Sequence, residues 1–565
     1  MTEASATASS SSTFGAGPHT AEDAERYYRD GYWQDRVMYD FLKKGADEHP
    51  ERVFVTDGTN VLSYGRLRED AVRLAAGLKE LGIEKGDRVA VQLPNWAEFA
   101  TIALALSRLG AILLPIMPIF RHDEVGFMLR HSGAVAVIGP EFFHKFDYLS
   151  MYSELIADAP ELRNIIIARA SKPESLTDAS DLAALFVDGD VDQLDDSLGE
   201  TASADEPCLV VYTSGTTSRP KGCVHTFNTI HANALAMMRR LRINTDDVFF
   251  NPSPVAHSTG LVTGLAMPMI AGAGTHFQAE WEPAEGLRRI ERFGCTVTFT
   301  ATTFLTTAMQ AYDENEHNVD SMRYWVCAGA PIPGPVVQAG QALFPNCSVL
   351  SLYGRSENFA STMCGPDDPP ERSATSDGRV LDGAELKVVD EDGEEVPLGE
   401  EGDLAFKGPS HMLGYYRDLE ETALLYTDDG FSRSGDLGVM YPDGFIRVSG
   451  RVKDIIIRGG LNISSREVED LLSGHDAIQA VAVVAMPDAR VGEKSCAFVV
   501  PAPGAELSLE DLVEYLRGKQ VAVQKLPERL EVVEALPMTA VGKVRKNVLR
   551  EMIAEKVRQE ASTSV

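Results

Sequence analysis

"VVYTSGTTSRPKG", residues 210–222, joins an apolar run to a turn dense in hydroxyls and glycine, and closes on a lysine. Val210, Val211 and Tyr212 read as the end of a buried strand, since β-branched and aromatic side chains pack well on a pleated surface. The turn then offers Thr213, Ser214, Gly215, Thr216 and Thr217, whose hydroxyls and backbone N–H groups can wrap an anion while Lys221 adds positive charge. A polar surface turn uses the same residue types, because Ser, Thr and Gly favour turns in any case. The spacing excludes two common cradles. A P-loop puts glycine directly before its lysine, whereas here Pro220 precedes Lys221 and Gly222 follows it. GxGxxG is absent, so the chain has no Rossmann dinucleotide fingerprint.

Upstream, Ser63 is placed to cap a helix in which Leu67, Ala71, Leu74, Leu78 and Leu81 make one apolar stripe, and the strand "RVAVQL" follows Gly86-Asp87. Helix then strand recurs: "EFATIALALSRLGAILLPI" leads toward "AVAVIG", and "AEGLRRIERFG" into "CTVTFTAT". This alternation predicts mainly parallel sheets covered by helices. Near residue 380 the pattern changes to apolar/polar alternation between Asp-Gly turns, which predicts antiparallel hairpins over 380–450. A compact unit with "AVAVVAMP", "CAFVVP" and the amphipathic "LEDLVEYLRGK" follows with no flexible linker before it.

A chain of 565 residues exceeds a single core, and 44 % hydrophobic with 24 % charged residues is ordinary for a soluble globular protein. Lys and Arg number 52 against 84 Asp and Glu, a net charge of −32. Such a surface repels nucleic acid and anionic membranes, so an anionic ligand has to be met by local donors. The seven cysteines are scattered without a CxxC pair, which predicts free thiols in a reducing cytosol and no zinc site. The first residues lack the basic and apolar regions of a signal peptide and read as a disordered tail over 1–22, giving a cytoplasmic expectation. "GLVTGLAMPMIAGAG" is interrupted by Pro268 and is shorter than the roughly 20 apolar residues of a span, so it is expected in the core.

"YTSGTTSRPKG" resembles the phosphate loop of the adenylate-forming superfamily, which includes acyl-CoA synthetases, peptide-synthetase adenylation domains and firefly luciferase. "LYGRSEN" (352–358) is similar to the family's YGxTE stretch, "RSGDLGVMYPDGFIRVSGRVKDIIIRGGLNI" (433–463) to its SGD and GRxKD blocks, and "LPMTAVGKVRKNVLR" (536–550) to its PxTxxGK block. The blocks stand in the family's order, and with their flanks cover nearly all of residues 30 to 555. The resemblance implies an α/β fold: a large N-terminal domain (23–452) of mainly parallel, helix-covered sheets with a β-barrel-like subdomain, and a small mobile α+β C-terminal lid (453–565). It further implies an acyl-adenylate made from a carboxylate and MgATP, then passed to a thiol with CoA as co-substrate. No protein nucleophile is needed, because the step builds charge on phosphate and calls for positioned donors and a metal.

Carried over residue by residue, Lys543 inserts between the carboxylate and the α-phosphate, where a compact ammonium can approach two oxygens; its rival reading is a solvated basic tail. Glu357 is the implied Mg²⁺ ligand, with Thr216 and the hydroxyl of Ser356 nearby, since hard Mg²⁺ prefers oxygen. Tyr353, beside Gly354, stacks on adenine or is a core aromatic, and Ala328, Gly329, Ala330 and Pro331 give close backbone on the other face. Asp436 accepts from the ribose hydroxyls and Arg451 reaches ribose or phosphate, or each is half of a structural ion pair. Lys453 matches the hinge, and Gly459 and Gly460 line the pantetheine path or end a strand. His257 gates the acyl pocket or is a satisfied core histidine, and Thr302 lies in the same pocket.

Three positions depart from the family pattern. Ser218 replaces a glycine, costing about 1 kcal/mol if the position needs positive φ. Ser356 stands for threonine. Arg355 occupies a slot usually small or apolar beside the reacting carboxylate, where a guanidinium either favours an acidic or strongly polar substrate or turns to solvent or an acid. "SPVAHSTGLVTGL", "TFTATTFL" and "DGRVLDGAELKVVDEDG" are most similar to the cyclohexanecarboxylate, medium-chain and aryl acyl-CoA ligases, while "YYRDGYWQDR" is similar to aryl-acid adenylating enzymes of siderophore pathways. The expected activity is an AMP-forming acid–thiol ligase for a cyclic, aromatic or medium-chain acid, acting as a monomer or homodimer. A stand-alone enzyme loading a carrier protein, and a nitrite-activating diazotase acting on an aryl amine, are the alternatives.

Overall fold

The computed structural model describes residues 17–213, 220–329, 332–451, 454–458, 461–488, 490–519, 521–539 and 543–563. Ser63 caps the helix Tyr64–Glu80 by accepting from Arg66 N–H at 3.2 Å, and Leu67, Ala71, Leu74 and Leu78 on its inner face are fully buried. That helix packs on Ala97–Leu109, which in turn packs on Ile112–Pro115 of an eight-stranded sheet. Its strands run in the order Gly414–Tyr415, Gly222–Thr226, Pro207–Tyr212, Ile112–Pro115, Arg88–Val91, Ala136–Pro140, Asn164–Ala168, Ser180–Asp181. Strands such as Ile112–Pro115 and Ala136–Pro140 are buried at every position, which explains why they read as unbroken apolar runs rather than as alternation.

A second, nine-stranded sheet carries Ser348–Arg355 next to Tyr324–Cys327 on one side and the antiparallel strand Phe359–Met363 on the other. Both sheets are parallel through their interiors and antiparallel toward an edge that bears site residues. The subdomain expected to be barrel-like is a four-stranded antiparallel sheet, in the order Glu385–Val389, Glu401–Lys407, Ser432–Met440, Ile446–Arg451. Beyond it, Ile478–Asp488 and Gly492–Pro501 form a long antiparallel pair that Arg529–Val532 extends in parallel. The helices Ser465–Leu472, Leu509–Gly518 and Lys546–Thr563 complete this last unit, which has its own cores around Val468, Leu512 and Leu549.

The expected tail to residue 22 gives way to structure earlier. Thr20 and Asp23 form a capping box that starts the helix Ala21–Arg29, and the His19 ring donates to the His411 carbonyl at 3.1 Å. The segment Ser258–Ala271, centred on a wide helical turn at Val262–Ala266, lies in the core, and no described helix is long and apolar enough to cross a membrane. All seven cysteines are free, six of them buried.

Candidate active site

The hydroxyl-rich turn hangs from an antiparallel strand pair, with Tyr212 opposite Gly222. Thr213 N–H donates to the Lys221 carbonyl at 2.9 Å, and Lys221 N–H returns a bond to the Thr213 hydroxyl at 3.3 Å, so the base of the loop is closed. Ser214, Gly215, Thr216, Thr217 and Ser218 lie outside the described residues. The Lys221 ammonium sits 4.9 Å above the Tyr415 ring and pairs with the Glu421 carboxylate.

Tyr415 leads to Glu357. Its hydroxyl donates to Glu357 Oε1 at 2.6 Å, while Met412 N–H donates to the Glu357 carbonyl at 2.8 Å. Burial pushes the Glu357 carboxyl up, but Arg355 and the Tyr415 hydroxyl outweigh it and hold the group below the usual glutamate value. An ionised, oriented carboxylate of this kind suits a hard cation.

The turn bearing Glu357 is tightly built. Gly354 faces Phe359, and a Cβ there would stand 1.9 Å from the Phe359 carbonyl oxygen, so only glycine lets the two strands close. Phe359 has φ +57°, a left-handed conformation that aromatic residues rarely adopt. It is held there by burial and by the His225 ring, 4.1 Å away between centroids. His225 donates from Nε2 to the Ser356 carbonyl at 2.8 Å, and burial lowers its pKa to about 4, so a neutral ring fixes the backbone under Ser356. Backbone strain of this sort concentrates at ligand sites.

In the four-stranded antiparallel sheet, adjacent strands place Asp436 opposite Arg451, and Arg451 Nε donates to Asp436 Oδ1 at 2.8 Å. The other carboxylate oxygen, Oδ2, accepts from the Tyr353 hydroxyl at 2.6 Å. Asp436 is buried and Tyr353 packs against Phe406, so the three expected nucleotide residues form one rigid corner.

Lys543 reaches this corner from the C-terminal unit. Thr539, the threonine of its block, is bonded to it twice: Lys543 N–H donates to the Thr539 hydroxyl at 3.0 Å and Thr539 N–H to the Lys543 carbonyl at 2.6 Å. A Cβ placed on Gly329, where φ is +73°, would lie 3.8 Å from Lys543 Cε, so the lysine stem runs along bare backbone. Burial, then the charge of Arg451, lower the Lys543 pKa to about 8 against the opposing pull of Asp436 and Glu357. The same ammonium, after burial itself, helps lower His257 to about 3. His257 caps the helix Ser258–Leu261, its Nδ1 accepting from Thr259 N–H at 3.3 Å.

Ala328 is buried, its N–H bonded to the Thr300 carbonyl at 2.8 Å, and Thr302 opens the helix Thr302–Ala311 one strand away. Arg355 turns to the backbone of the neighbouring sheet. Its guanidinium donates to the Arg433 carbonyl at 2.7 Å, the Ser432 carbonyl at 3.1 Å and Asn358 Oδ1 at 3.3 Å, with a further bond to the Ser432 hydroxyl. Carbonyls of the neighbouring sheet therefore occupy the fork that was expected to meet a polar substrate, a solvent molecule or an acid. Ala330, Pro331, Lys453, Gly459 and Gly460 lie outside the described residues. Sequence reasoning missed Tyr415, Glu421 and His225, because nothing in "GYY", "LEET" or "VHT" distinguishes them from ordinary sheet and helix residues.

A family model described as AMP-binding enzyme matches residues 42–416, well over half of the chain, and a second, AMP-binding enzyme C-terminal domain, matches 467–543. The chain belongs to the AMP-binding enzymes. This AMP-binding enzyme is 35% identical over 541 residues to the medium-chain fatty-acid–CoA ligase of Escherichia coli, covering 95% of this chain and 94% of that one. It is likewise 35% identical over 541 residues to the salicyl-AMP ligase/salicyl-S-ArCP synthetase of Mycobacterium tuberculosis, covering 94% and 93%. Among solved structures, ATP-bound MatB from Rhodopseudomonas palustris superposes with a TM-score of 0.79 at 26% identity, over 92% of this chain and 99% of the other. The AMP-binding enzyme described here is thus an adenylate-forming ligase, a class that adenylates acids with ATP.

Proposed function

We propose that the enzyme activates a medium-chain, cyclic or aromatic carboxylic acid as its acyl-adenylate and transfers the acyl group to CoA, releasing AMP and pyrophosphate. One observation carries the reading: the Lys543 stem runs along Gly329, 3.8 Å from where a Cβ would stand there, with its ammonium within the electrostatic reach of Arg451, Asp436 and Glu357. In this account Asp436 accepts from the ribose hydroxyls and Tyr353 offers its ring to adenine. The substrate carboxylate attacks the α-phosphorus, the bond to pyrophosphate breaks, and Lys543 neutralises charge growing on the oxygens between them. Glu357 would hold Mg²⁺, which when bound offsets phosphate charge. The C-terminal domain, hinged at Lys453, then turns so that Lys543 leaves and the thiol enters past Gly459 and Gly460.

Loading of a carrier protein is the second reading, favoured by full-length similarity to an enzyme named for salicyl-S-ArCP synthesis. The nitrite alternative loses its motive, since the guanidinium that suggested it is spent on backbone carbonyls. The test incubates enzyme with MgATP and octanoate, cyclohexanecarboxylate, benzoate, salicylate or nitrite, with and without CoA. AMP and acyl-CoA should appear together for at least one acid. AMP formation that ignores CoA with every acid, together with acylation of a phosphopantetheinylated carrier, would replace this reading with the second.

A further inference from the structure

The C-terminal domain meets the large domain through four charged side chains that belong to neither the nucleotide corner nor the phosphate loop. Asp377 is anchored on the large-domain side. Its backbone N–H donates to the Ile446 carbonyl at 2.8 Å, its carbonyl accepts from the Thr362 hydroxyl at 2.6 Å, and Oδ2 accepts from Val448 N–H at 2.8 Å. Oδ1 is left for the other domain and accepts from Arg466 Nη2 at 3.1 Å. Arg447, on the same side, donates from Nη2 to Asp470 Oδ2 at 2.5 Å. The ring closes through two longer pairs, Arg447 Nη1 to Asp377 Oδ2 at 3.8 Å and Arg466 Nε to Asp470 Oδ2 at 3.9 Å.

We propose that Asp377, Arg447, Arg466 and Asp470 form a releasable ionic latch that positions Lys543, and that its opening sets the partition between the two half-reactions. The proposal rests on the two-step reading above. Arg466 and Asp470 ride on the helix Ser465–Leu472, whose Val468 and Leu472 are buried in the C-terminal domain's own core, so the helix travels with Lys543. Arg447 lies on the strand Ile446–Arg451, which ends where the chain passes between domains. Any rotation of the C-terminal domain about that passage draws Asp470 away from Arg447 and Arg466 away from Asp377.

The ring is also built to release. Its side chains are between 2% and 21% exposed, so closing it strips water from four charges. Three of its atoms, Arg447 Nη1, Arg466 Nε and Asp470 Oδ1, are buried without a hydrogen-bond partner. Desolvation that incomplete bonding does not repay leaves such a ring close to balance, and opening returns the charges to water. An apolar contact of the same area would hold the domain more firmly and would oppose the turn.

The test places a donor–acceptor dye pair at Val61→Cys and Val523→Cys, on exposed sites of the two domains (61% and 74%), and records the distance distribution with MgATP alone. Asp470→Asn should move population away from the closed distance. It should also lower kcat/KM for octanoate- or salicylate-dependent pyrophosphate exchange by about tenfold, the scale of a conformational coupling. Thioester formation from preformed octanoyl-AMP or salicyl-AMP should be unchanged or faster. Asp470→Glu, which keeps the charge, should retain the wild-type distribution. An unaltered distance distribution in Asp470→Asn, or equal loss of both half-reactions with a matching fall in Tm, overturns the latch. Lys543→Ala distinguishes this from failure of the two-step reading: if that variant separates the half-reactions while Asp470→Asn does not, the latch alone is wrong.

Discussion

Lys543 carries the most exposed consequence of the site, because its chemistry and its burial pull in opposite directions. Its pKa stands at about 8 rather than the ordinary 10.5, through burial first and then the charge of Arg451. For a cationic group a lowered folded-state value means that the ammonium is the main form below pH 8 and the amine above it. Adenylation needs the ammonium, so kcat/KM, which reports the free enzyme, should fall above pH 8 and be down about tenfold at pH 9. Lys543→Arg, whose guanidinium stays charged across this range, should lose rate at every pH yet show no descending limb there. Lys543→Ala should cost adenylation roughly 10²-fold or more and leave thioester formation from preformed adenylate nearly intact. Stability has its own sign. Between pH 8 and 10.5 the unfolded chain binds the proton that the folded chain has given up, so this residue's contribution improves as pH rises through that window. Below pH 8 its confinement costs a few kcal/mol at most, about 2 after solvent screening at a half-buried site, and Lys543→Met should raise the stability of the ligand-free protein by that order at pH 7. The assays are pyrophosphate exchange from pH 6.5 to 9.5 and urea unfolding at pH 7. A wild-type kcat/KM that stays flat to pH 9.5, or an arginine variant that keeps the same limb, would refute the assignment.

Tyr415→Phe removes the hydroxyl that helps keep Glu357 ionised, leaving Arg355 with less help against burial, so the carboxyl pKa rises; the Mg²⁺ concentration for half-maximal adenylation should rise about tenfold, the scale of one charged hydrogen bond. Glu421→Gln releases Lys221 from its carboxylate partner, so calorimetry should find ATP bound severalfold more tightly, and weaker binding would mean that the pair orders the lysine rather than competing with phosphate. Gly354→Ala forces a methyl group against the Phe359 carbonyl; Tm should drop by several degrees, with a stability loss of about 3 kcal/mol or more, and a variant with wild-type Tm would show the hairpin to be more pliable than its register implies.

Local physics made much of this protein legible from its residues. Ser63 with a stripe of leucines four and three apart determines a capped helix wherever it is packed, and fully apolar runs such as Ile112–Pro115 determine strands buried on both faces. The ordered blocks around Thr213, Tyr353, Asp436 and Lys543 pointed to the chemistry through their resemblance to the adenylate-forming superfamily, which local physics alone left open between an anion cradle and a polar turn. The capping box at Thr20 was equally readable and went unread, hidden by the low-complexity residues before it. Partners distant in the chain were decided only by the tertiary structure. Arg355 could be read as facing a polar substrate, solvent or an acid, and the strand Ser432–Met440 instead brings two carbonyls to its guanidinium. Lys221 met Glu421, Glu357 met Tyr415, and Asp377 met Arg466 in the same way, across a domain boundary in the last case. A hydrogen bond or ion pair acts over a few ångströms, while periodicity and turn chemistry report on a few neighbouring residues, so the sequence could name each charge without saying which other charge it would face.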